Sequence, residues 1–261
     1  MNRNVPFVTS VVLVILLVLS AGTARAQSPC GSLSVQAANA ALAGALRAAQ
    51  AQSNGGFNLH MWATVVNRDG VVCAVAFSGN NRGDQWPGSR VISAQKANTA
   101  NAFSLPALAL STANLYSAVQ PGGSLYGLQQ SNPVNTAVAY GGSPADFGTP
   151  NDPMVGGRIG GINVFGGGLA LYDSSRQLIG GLGVSGDSSC ADHNIAWRTR
   201  RNLNLDFVPA GVSTDPVRKD SIVYDVAAQA GQMPGVSASG WGHPVCSASA
   251  TSIAAALPPT Q

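Results

Sequence analysis

The stretch "FNLHMWATVVNRDGVVCAVAFSG", residues 57–79, predicts two neighbouring β-strands. Two runs rich in β-branched and apolar residues flank "NRDG", and a short loop that ends in Asp-Gly is typical of a β-hairpin. Residues 162–186, "INVFGGGLALYDSSRQLIGGLGVSG", show strand patterning again, at 162–165, 168–172 and 178–184, with a turn at 173–175. Because hairpins join antiparallel strands, the sequence predicts an antiparallel sheet with helices packed on it.

Four further stretches are predicted to be helical. Residues 32–52 place apolar side chains three and four apart after Ser34, which is a plausible N-cap, and the run stops before "NGG". Residues 87–104 predict a second helix with Ser89 as its cap. A shorter helix is expected within residues 105–123, and a last one over residues 188–201.

The first 26 residues have the pattern of a secretory signal peptide. Arg3 precedes an apolar run over residues 8–19, and Ala24 and Ala26 form the small-residue pattern of a cleavage site. The run is shorter than the roughly 20 residues that a membrane-spanning helix needs. We therefore expect a secreted or periplasmic protein without a membrane span after cleavage.

The remaining chain divides into a domain over residues 27–202 and a C-terminal extension over residues 203–261. Residues 125–157 are rich in Gly, Pro, Asn and Ser and show no clear period, so they form an inserted loop that covers a site or mediates assembly. The Pro-rich extension is predicted to be loop-like and to wrap the domain surface.

Charge and composition exclude several functions. The formal net charge is +3, and removal of Arg3 and Arg25 leaves too little positive charge to bind nucleic acid. The acidic residues are all Asp, which rules out designs based on Glu. No acid–base pair or activated nucleophile stands out, so the sequence assigns no catalytic residue.

The four cysteines, Cys30, Cys73, Cys190 and Cys246, predict two disulfides in an exported protein. Four cysteines allow three pairings. If the first helix packs beside the hairpin, its start lies near the second strand, which favours Cys30–Cys73 and leaves Cys190–Cys246 to hold the extension. No two histidines have metal-ligand spacing, so a zinc site is not predicted.

The stretch "GLGVSG", residues 181–186, has the glycine spacing of a dinucleotide-binding loop. Two observations oppose that interpretation. Asp187 and Asp192 follow directly and would repel a phosphate, and the preceding strand belongs to a hairpin instead of a βαβ unit. The glycines are better explained by a close strand-to-helix turn.

Several residues are candidates for binding an anionic, iron-containing ligand such as haem. His193, near a helix start, is the first candidate for the iron ligand, and His60 is the second. Lys96, Thr99 and Arg90 are predicted to share one region of a helix, where the cations would pair with ligand carboxylates or form a solvated face. His243 is expected to dock the extension.

Residues 33–202 combine this order of elements with the stretches "AQKANTA" (residues 94–100) and "GGLGVSG…ADHNIA". In these features they resemble the GlcG/HbpS family of haem-binding or haem-degrading domains. This resemblance implies a profilin-like α/β/α fold with a five-stranded antiparallel sheet, haem binding, and assembly into homo-oligomers. Lys96, Thr99, Gly161 and Asp192 match the family pattern. His193 stands where many relatives have Glu, so its role as iron ligand is inferred from this sequence alone.

Together these features predict an exported haem-binding protein that acts in haem or iron capture or in redox sensing, with Asp192 orienting the helix start. Two alternatives stay open. One is a non-haem module that binds another small anion through Lys96 and Arg90, or an accessory subunit of a periplasmic oxidoreductase. The other is a purely structural homo-oligomer.

Overall fold

The computed structural model describes Met1 and residues 30–261, so the predicted signal peptide lies outside the described residues except for Met1. The helices are α1 (Leu33–Gln36), α2 (Asn39–Gln50), α3 (Ser89–Phe103), α4 (Leu128–Ser131), α5 (Thr136–Tyr140), α6 (Ser189–Asn202) and α7 (Ala248–Ala256). The strands are β1 (Trp62–Asn67), β2 (Val72–Phe77), β3 (Gly168–Tyr172), β4 (Leu178–Ser185), β5 (Val226–Gln229) and β6 (Gln232–Ser237). Among the helices of these described residues, none is long and apolar enough to cross a membrane.

The main sheet has the order β2-β1-β4-β3, and each neighbouring pair is antiparallel. The predicted class, an antiparallel sheet with helices on its faces, is confirmed. Since β4 is antiparallel to both of its neighbours, "GLGVSG" does not belong to the βαβ unit of a dinucleotide site. The second sheet is the β5–β6 hairpin of the C-terminal extension.

The main sheet has four strands instead of the five predicted, because residues 162–165 form no regular secondary structure and do not join it. Their backbone N–H groups bond to side chains instead of a neighbouring strand. Asn163 N donates to Thr99 Oγ1 at 2.9 Å, and Val164 N donates to Gln129 Oε1 at 3.3 Å. The apolar alternation of this stretch predicts a strand, but it does not reveal that side chains elsewhere accept the backbone hydrogen bonds.

Helices cover both faces of the main sheet. One face packs on α3, with Trp62, Val75 and Ala97 in its core. The other face packs on α2 and α6, with Val65, Leu182 and Trp197 among its buried residues. Side chains of one strand alternate between these two cores because successive residues of a strand point to opposite faces.

Glycines in β4 let α3 approach the sheet closely. A Cβ atom at Gly183 would lie 1.9 Å from Ser93 O, and one at Gly181 would lie 2.3 Å from Ala97 O. The glycines of this stretch therefore serve helix packing along the strand. Gly186, with φ +153°, supplies the turn that follows it.

Helix boundaries differ from the sequence prediction at several points. The first predicted helix divides into α1 and α2 because Ala38 is extended, and Asn39 Nδ2 then donates to Gly148 O at 3.0 Å. Ser34 lies within α1, and Ser89 is the first residue of α3, so neither is an N-cap. The helix predicted within residues 105–123 is replaced by two short 3-10 turns, Thr112–Leu115 and Ser117–Val119.

The inserted loop and the extension both contain regular structure that the sequence pattern did not predict. α4, α5 and a 3-10 turn lie within residues 125–157, and β5, β6 and α7 lie within the extension. Trp197 Nε1 of α6 donates to Pro258 O at 2.9 Å, so the end of the chain packs on α6. The structure contains both predicted disulfides, Cys30–Cys73 and Cys190–Cys246.

Candidate ligand-binding site

Lys96 and Asp192 form a buried ion pair between α3 and α6. Lys96 Nζ lies 2.7 Å from Asp192 Oδ2 and donates to Val184 O at 3.2 Å, and each residue is only 2% exposed. Asp192 Oδ1 accepts from Asp187 N at 2.9 Å. Burial raises the pKa of Asp192 to about 6, although the Lys96 ammonium acts in the opposite direction. The pair joins two helices across β4, and in this state the ammonium is occupied by the protein's own carboxylate.

Thr99 and Gly161 lie next to each other along α3 and the segment that crosses it. Thr99 Oγ1 donates to Gln95 O at 2.8 Å and accepts from Asn163 N. Asn98 Nδ2 donates to Gly161 O at 2.8 Å. Gly161 has φ +77°, and a Cβ atom there would lie 2.6 Å from Val134 Cγ1. The structure thus gives Thr99 and Gly161 roles in holding residues 161–163 against α3.

Arg90 lies apart from the Lys96–Asp192 pair and binds the inserted loop. Its Nε donates to Asp152 Oδ2 at 2.9 Å and its Nη1 to Ala139 O at 2.9 Å. Its guanidinium also stacks 3.6 Å from the centroid of the Phe147 ring. The Arg90 and Asp152 side chains are both buried, so in this arrangement Arg90 pairs with the protein's own carboxylate, and its role with ligand carboxylates stays a prediction.

His193 is completely buried beneath the C-terminal extension. Its Nε2 accepts from Ile222 N at 3.1 Å, and its Nδ1 is buried without a hydrogen-bond partner in the part of the chain that the structure describes. Burial lowers the pKa of His193 to about 3, with Arg200, His243 and Lys96 acting in the same direction, so the imidazole is neutral. In this arrangement the extension covers the imidazole, and the role of His193 as an iron ligand stays a prediction.

His60 lies at the same end of the sheet but towards β2, behind Gly79. Gly79 lines an open cleft of about 670 Å³, and His60 is not itself among the lining residues. The ring is half-buried, its centroid is 5.9 Å from that of Phe77, and Ser78 Oγ lies 3.4 Å from Nδ1. A Cβ atom at Gly79, which lines the cleft, would lie 3.0 Å from His60 Cγ. His60 is thus adjacent to a space within the roughly 300–1,000 Å³ typical of ligand pockets.

The lining of this cleft is cationic and aromatic. Arg47 of α2 and the exposed Arg82 contribute positive charge, and no carboxylate is among the described residues that line it. Phe77 and Phe147 supply ring surface. We refer to this space as the His60 cleft. A groove of this composition can pair with the carboxylates of a planar anion and cover part of its face.

The structure therefore separates the predicted site residues into several places. Lys96 and Asp192 meet, Thr99 and Gly161 lie beside each other, Arg90 binds Asp152, and the two candidate histidines are apart. Sequence reasoning missed Arg47, which lies in no motif, and set aside Arg82 because the tripeptide Arg-Gly-Asp that it begins often arises by chance. Both reach the His60 cleft only through tertiary packing. The count of eleven Asp against fourteen Lys and Arg gave no sign of which cations stay unpaired.

His243, expected to dock the extension, lies against the start of α6. Its Nε2 is 3.1 Å from Ser189 Oγ, and its backbone N donates to Val223 O at 2.8 Å. Burial lowers the pKa of His243 to about 4. Although His243 and the sulfurs of Cys190 and Cys246 lie within 4.8 Å of one another, both sulfurs are in a disulfide and are unsuited to bind a metal.

Comparison with known proteins finds relatives among solved structures, and no curated protein matches the chain. Protein ORFY of Klebsiella pneumoniae is 26% identical, with 64% of this chain and 88% of that chain covered and a TM-score of 0.43. PduOC, solved in complex with haem, is 24% identical over 64% and 93% of the two chains, with a TM-score of 0.43. HbpS is 17% identical over 64% and 86%, with a TM-score of 0.39.

The decisive match is to a family model. The model described as haem-degrading protein HbpS-like matches residues 33–200, which is more than half of the chain. It contains the hairpin, α3, β4 and nearly all of α6, and the suspected resemblance is thereby confirmed. The chain belongs to the HbpS-like family of haem-degrading proteins.

Proposed function

We propose that this chain is an exported haem-binding protein and that haem binds in the His60 cleft. The observation that carries the proposal is an open cleft that holds two arginines and no described carboxylate, with a half-buried histidine behind Gly79 of its lining. Family membership supports a haem-related ligand. The buried Lys96–Asp192 pair and the covered His193 offer no comparable access.

The residues of the cleft fit the chemical groups of haem. Arg47 and Arg82 would pair with the two propionates, and His60 would offer an imidazole nitrogen to the iron. A Cβ atom at Gly148, which lines the cleft, would lie 3.0 Å from both Trp62 and Phe77, so glycine lets the inserted loop lie close against these two rings. Bound haem would supply redox-active iron, while the protein's residues bind and orient it.

Export and biological role belong to the same proposal. The signal peptide over residues 1–26 and the two disulfides support an oxidising compartment, either the periplasm or the exterior. In that setting the protein would act in haem or iron capture or in redox sensing. Assembly into homo-oligomers stays a prediction.

Titration of haemin into the mature protein, residues 27–261, tests the proposal. We expect a saturable, shifted Soret band that His60→Ala abolishes or moves, because the iron loses its imidazole. Arg82→Ala should weaken binding at least fivefold while keeping the band position, since it removes only a carboxylate partner. Arg176→Asn is the matched control, because it removes an exposed arginine at φ +59° in the distant β3–β4 turn.

A second candidate function is favoured by the two arginines themselves. A binder of another small anion, or an accessory subunit of an oxidoreductase, would use Arg47 and Arg82 without His60. A band that His60→Ala leaves unchanged would remove the ligand assignment. The absence of any saturable band would refute haem binding and favour this second candidate.

A further inference from the structure

Three consecutive residues of the C-terminal extension, Asp220, Ser221 and Ile222, are held by three polar side chains of the family domain. Arg200 Nη2 donates to Asp220 Oδ1 at 2.8 Å, with a second bond from Nη1 to Oδ2. The next two contacts involve the backbone. Asn114 Nδ2 donates to Ser221 O at 3.0 Å, and Ile222 N donates to His193 Nε2 at 3.1 Å.

These three side chains are all completely buried, with 0% exposure for Asn114, His193 and Arg200. A guanidinium in such a place requires a paired carboxylate, because an uncompensated buried charge costs several kcal/mol. The family match ends at Arg200, so the three holding residues lie within it and the segment that they hold lies beyond it. We call the surface formed by Asn114, His193 and Arg200 the α6 groove.

The extension does not use all the hydrogen-bonding capacity of the α6 groove. His193 Nδ1 and Arg200 Nε are both buried without a partner among the described residues. Buried polar groups are normally satisfied, so orphaned atoms point to a different occupant or arrangement. A cleft of about 260 Å³ is lined on one side by Ser221, Ile222 and Tyr224, and it gives solvent a route to the held segment.

We propose that the α6 groove is a binding site for a peptide segment that carries a carboxylate, and that residues 220–222 occupy it in cis. Along the chain, the groove binds a side-chain carboxylate, then a backbone carbonyl, then a backbone N–H. A small carboxylate satisfies only the first of these contacts, whereas an Asp-containing peptide that adopts the conformation of residues 220–222 satisfies all three. A partner with such a segment would displace the chain's own.

The Cys190–Cys246 disulfide makes the internal segment a strong competitor. It ties the extension to the first turn of α6, 56 residues away in sequence. A tethered ligand acts at an effective concentration that reaches about millimolar for short flexible links, so an outside peptide binds weakly while the segment stays in place. Weakening the internal contact at Asp220 should therefore expose the groove.

The test measures binding of a fluorescein-labelled peptide, Lys-Asp-Ser-Ile-Val-Tyr, by fluorescence anisotropy to the full mature chain. We expect Asp220→Ala to bind it at least tenfold more tightly than wild type does. A peptide with asparagine in place of aspartate should bind at least tenfold more weakly, and adding Arg200→Gln to Asp220→Ala should remove binding. Millimolar acetate should not compete, which distinguishes a peptide from a small carboxylate.

Circular dichroism and gel filtration establish whether Asp220→Ala is folded, and Asp220→Asn, which keeps the side-chain shape, replaces it if it is not. Hydrogen exchange on wild type gives an independent measurement, because excess peptide should speed exchange at residues 221–224. A folded variant that does not bind, equal binding of the two peptides, or unchanged exchange in wild type would each overturn the proposal.

Discussion

At the scale of single residues, Lys96 and Asp192 show how a family motif can serve the fold. The two side chains are 96 positions apart in sequence, and they meet because α3 and α6 pack near the same strand, β4. Their burial means that neither charge is solvated, so each depends on the other. The sequence identified both residues but assigned Lys96 to a ligand carboxylate and Asp192 to the helix start, since a motif does not reveal a partner on a distant helix.

We expect Lys96→Met to destabilise the protein by about 3–5 kcal/mol, because it leaves the Asp192 carboxylate buried without its cation. The double variant Lys96→Met/Asp192→Asn should recover part of that loss, since asparagine still accepts from Asp187 N and carries no charge. Urea denaturation measures the free energy of unfolding of wild type, of the two single variants and of the double variant.

Lys219→Met is the control for this cycle. Lys219 is half-buried and donates to Val208 O at 2.8 Å, so its loss should cost about 1 kcal/mol. If Lys96→Met were no worse than Lys219→Met, the buried pair would not have the structural role described above.

At the scale of elements, the α3–β4 contact determines the thickness of the molecule on that face. Glycine backbone of β4 lies directly against the helix backbone, with no side chain between them at Gly181 and Gly183. Since a helix normally packs on a layer of side chains, the strand sequence "GGLGVS" is explained by this close approach.

Gly183→Ala should destabilise the protein by at least about 2 kcal/mol, because its Cβ would lie 1.9 Å from Ser93 O and one backbone has to move. Gly44→Ala is the matched control: Gly44 lies within α2, and a Cβ atom there meets nothing within 4 Å. It should stabilise the protein by about 0.5–1 kcal/mol through helix propensity. Thermal and urea unfolding of both variants would check the opposite signs, and a neutral Gly183→Ala would contradict the proposed packing.

The elements that the sequence predicted well are those with strong local signals. The hairpin at "NRDG" and the helix predicted over residues 188–201 depend on local patterning, and the structure has both. The strand predicted at residues 162–165 did not form, because the hydrogen bonding of a segment depends on acceptors elsewhere in the fold, such as Thr99 Oγ1. The sequence did not predict the helix break at Ala38 for a similar reason, since Asn39 bonds to a carbonyl of the inserted loop.

At the scale of the whole molecule, the two buried histidines link folding to pH. The pKa values of His193 and His243 are lowered to about 3 and about 4, so the folded protein keeps both neutral where the unfolded chain binds protons. Their stabilising contribution is present above about pH 6.5 and is lost as the pH falls through that range towards 4. Asp192, with a raised pKa of about 6, acts in the opposite direction.

Between about pH 6 and pH 4 the unfolded chain therefore binds about one proton more than the folded protein. The free energy of unfolding should fall by about 1.4 kcal/mol for each pH unit of acidification. Urea midpoints at pH 7, 6, 5 and 4 measure this slope. His243→Asn should flatten it, because one of the two neutral histidines is then absent. Constant or rising stability on acidification would contradict the burial of these imidazoles.

Only part of this molecular organisation follows from sequence. The cysteine count and the position of the hairpin were enough to predict both disulfide pairs, which the structure contains. The α6 groove was not predictable, because Asn114, His193 and Arg200 come from two distant segments and meet a third at residues 220–222. The domain boundary near residue 202 stays a prediction, and the family match ends two residues earlier.

The Cys190–Cys246 link also fixes the path of a mechanical load through the molecule. A pull on the C-terminus would enter at Cys246 and pass through the sulfurs into the first turn of α6, bypassing the 56-residue interval between them. At roughly 3.3–3.6 Å per extended residue, that interval withholds roughly 190 Å of chain from stretching. The C-terminal residues also bond to Val217, Arg218 and Asp206, so only after these contacts break does the disulfide carry the load in place of residues 220–222.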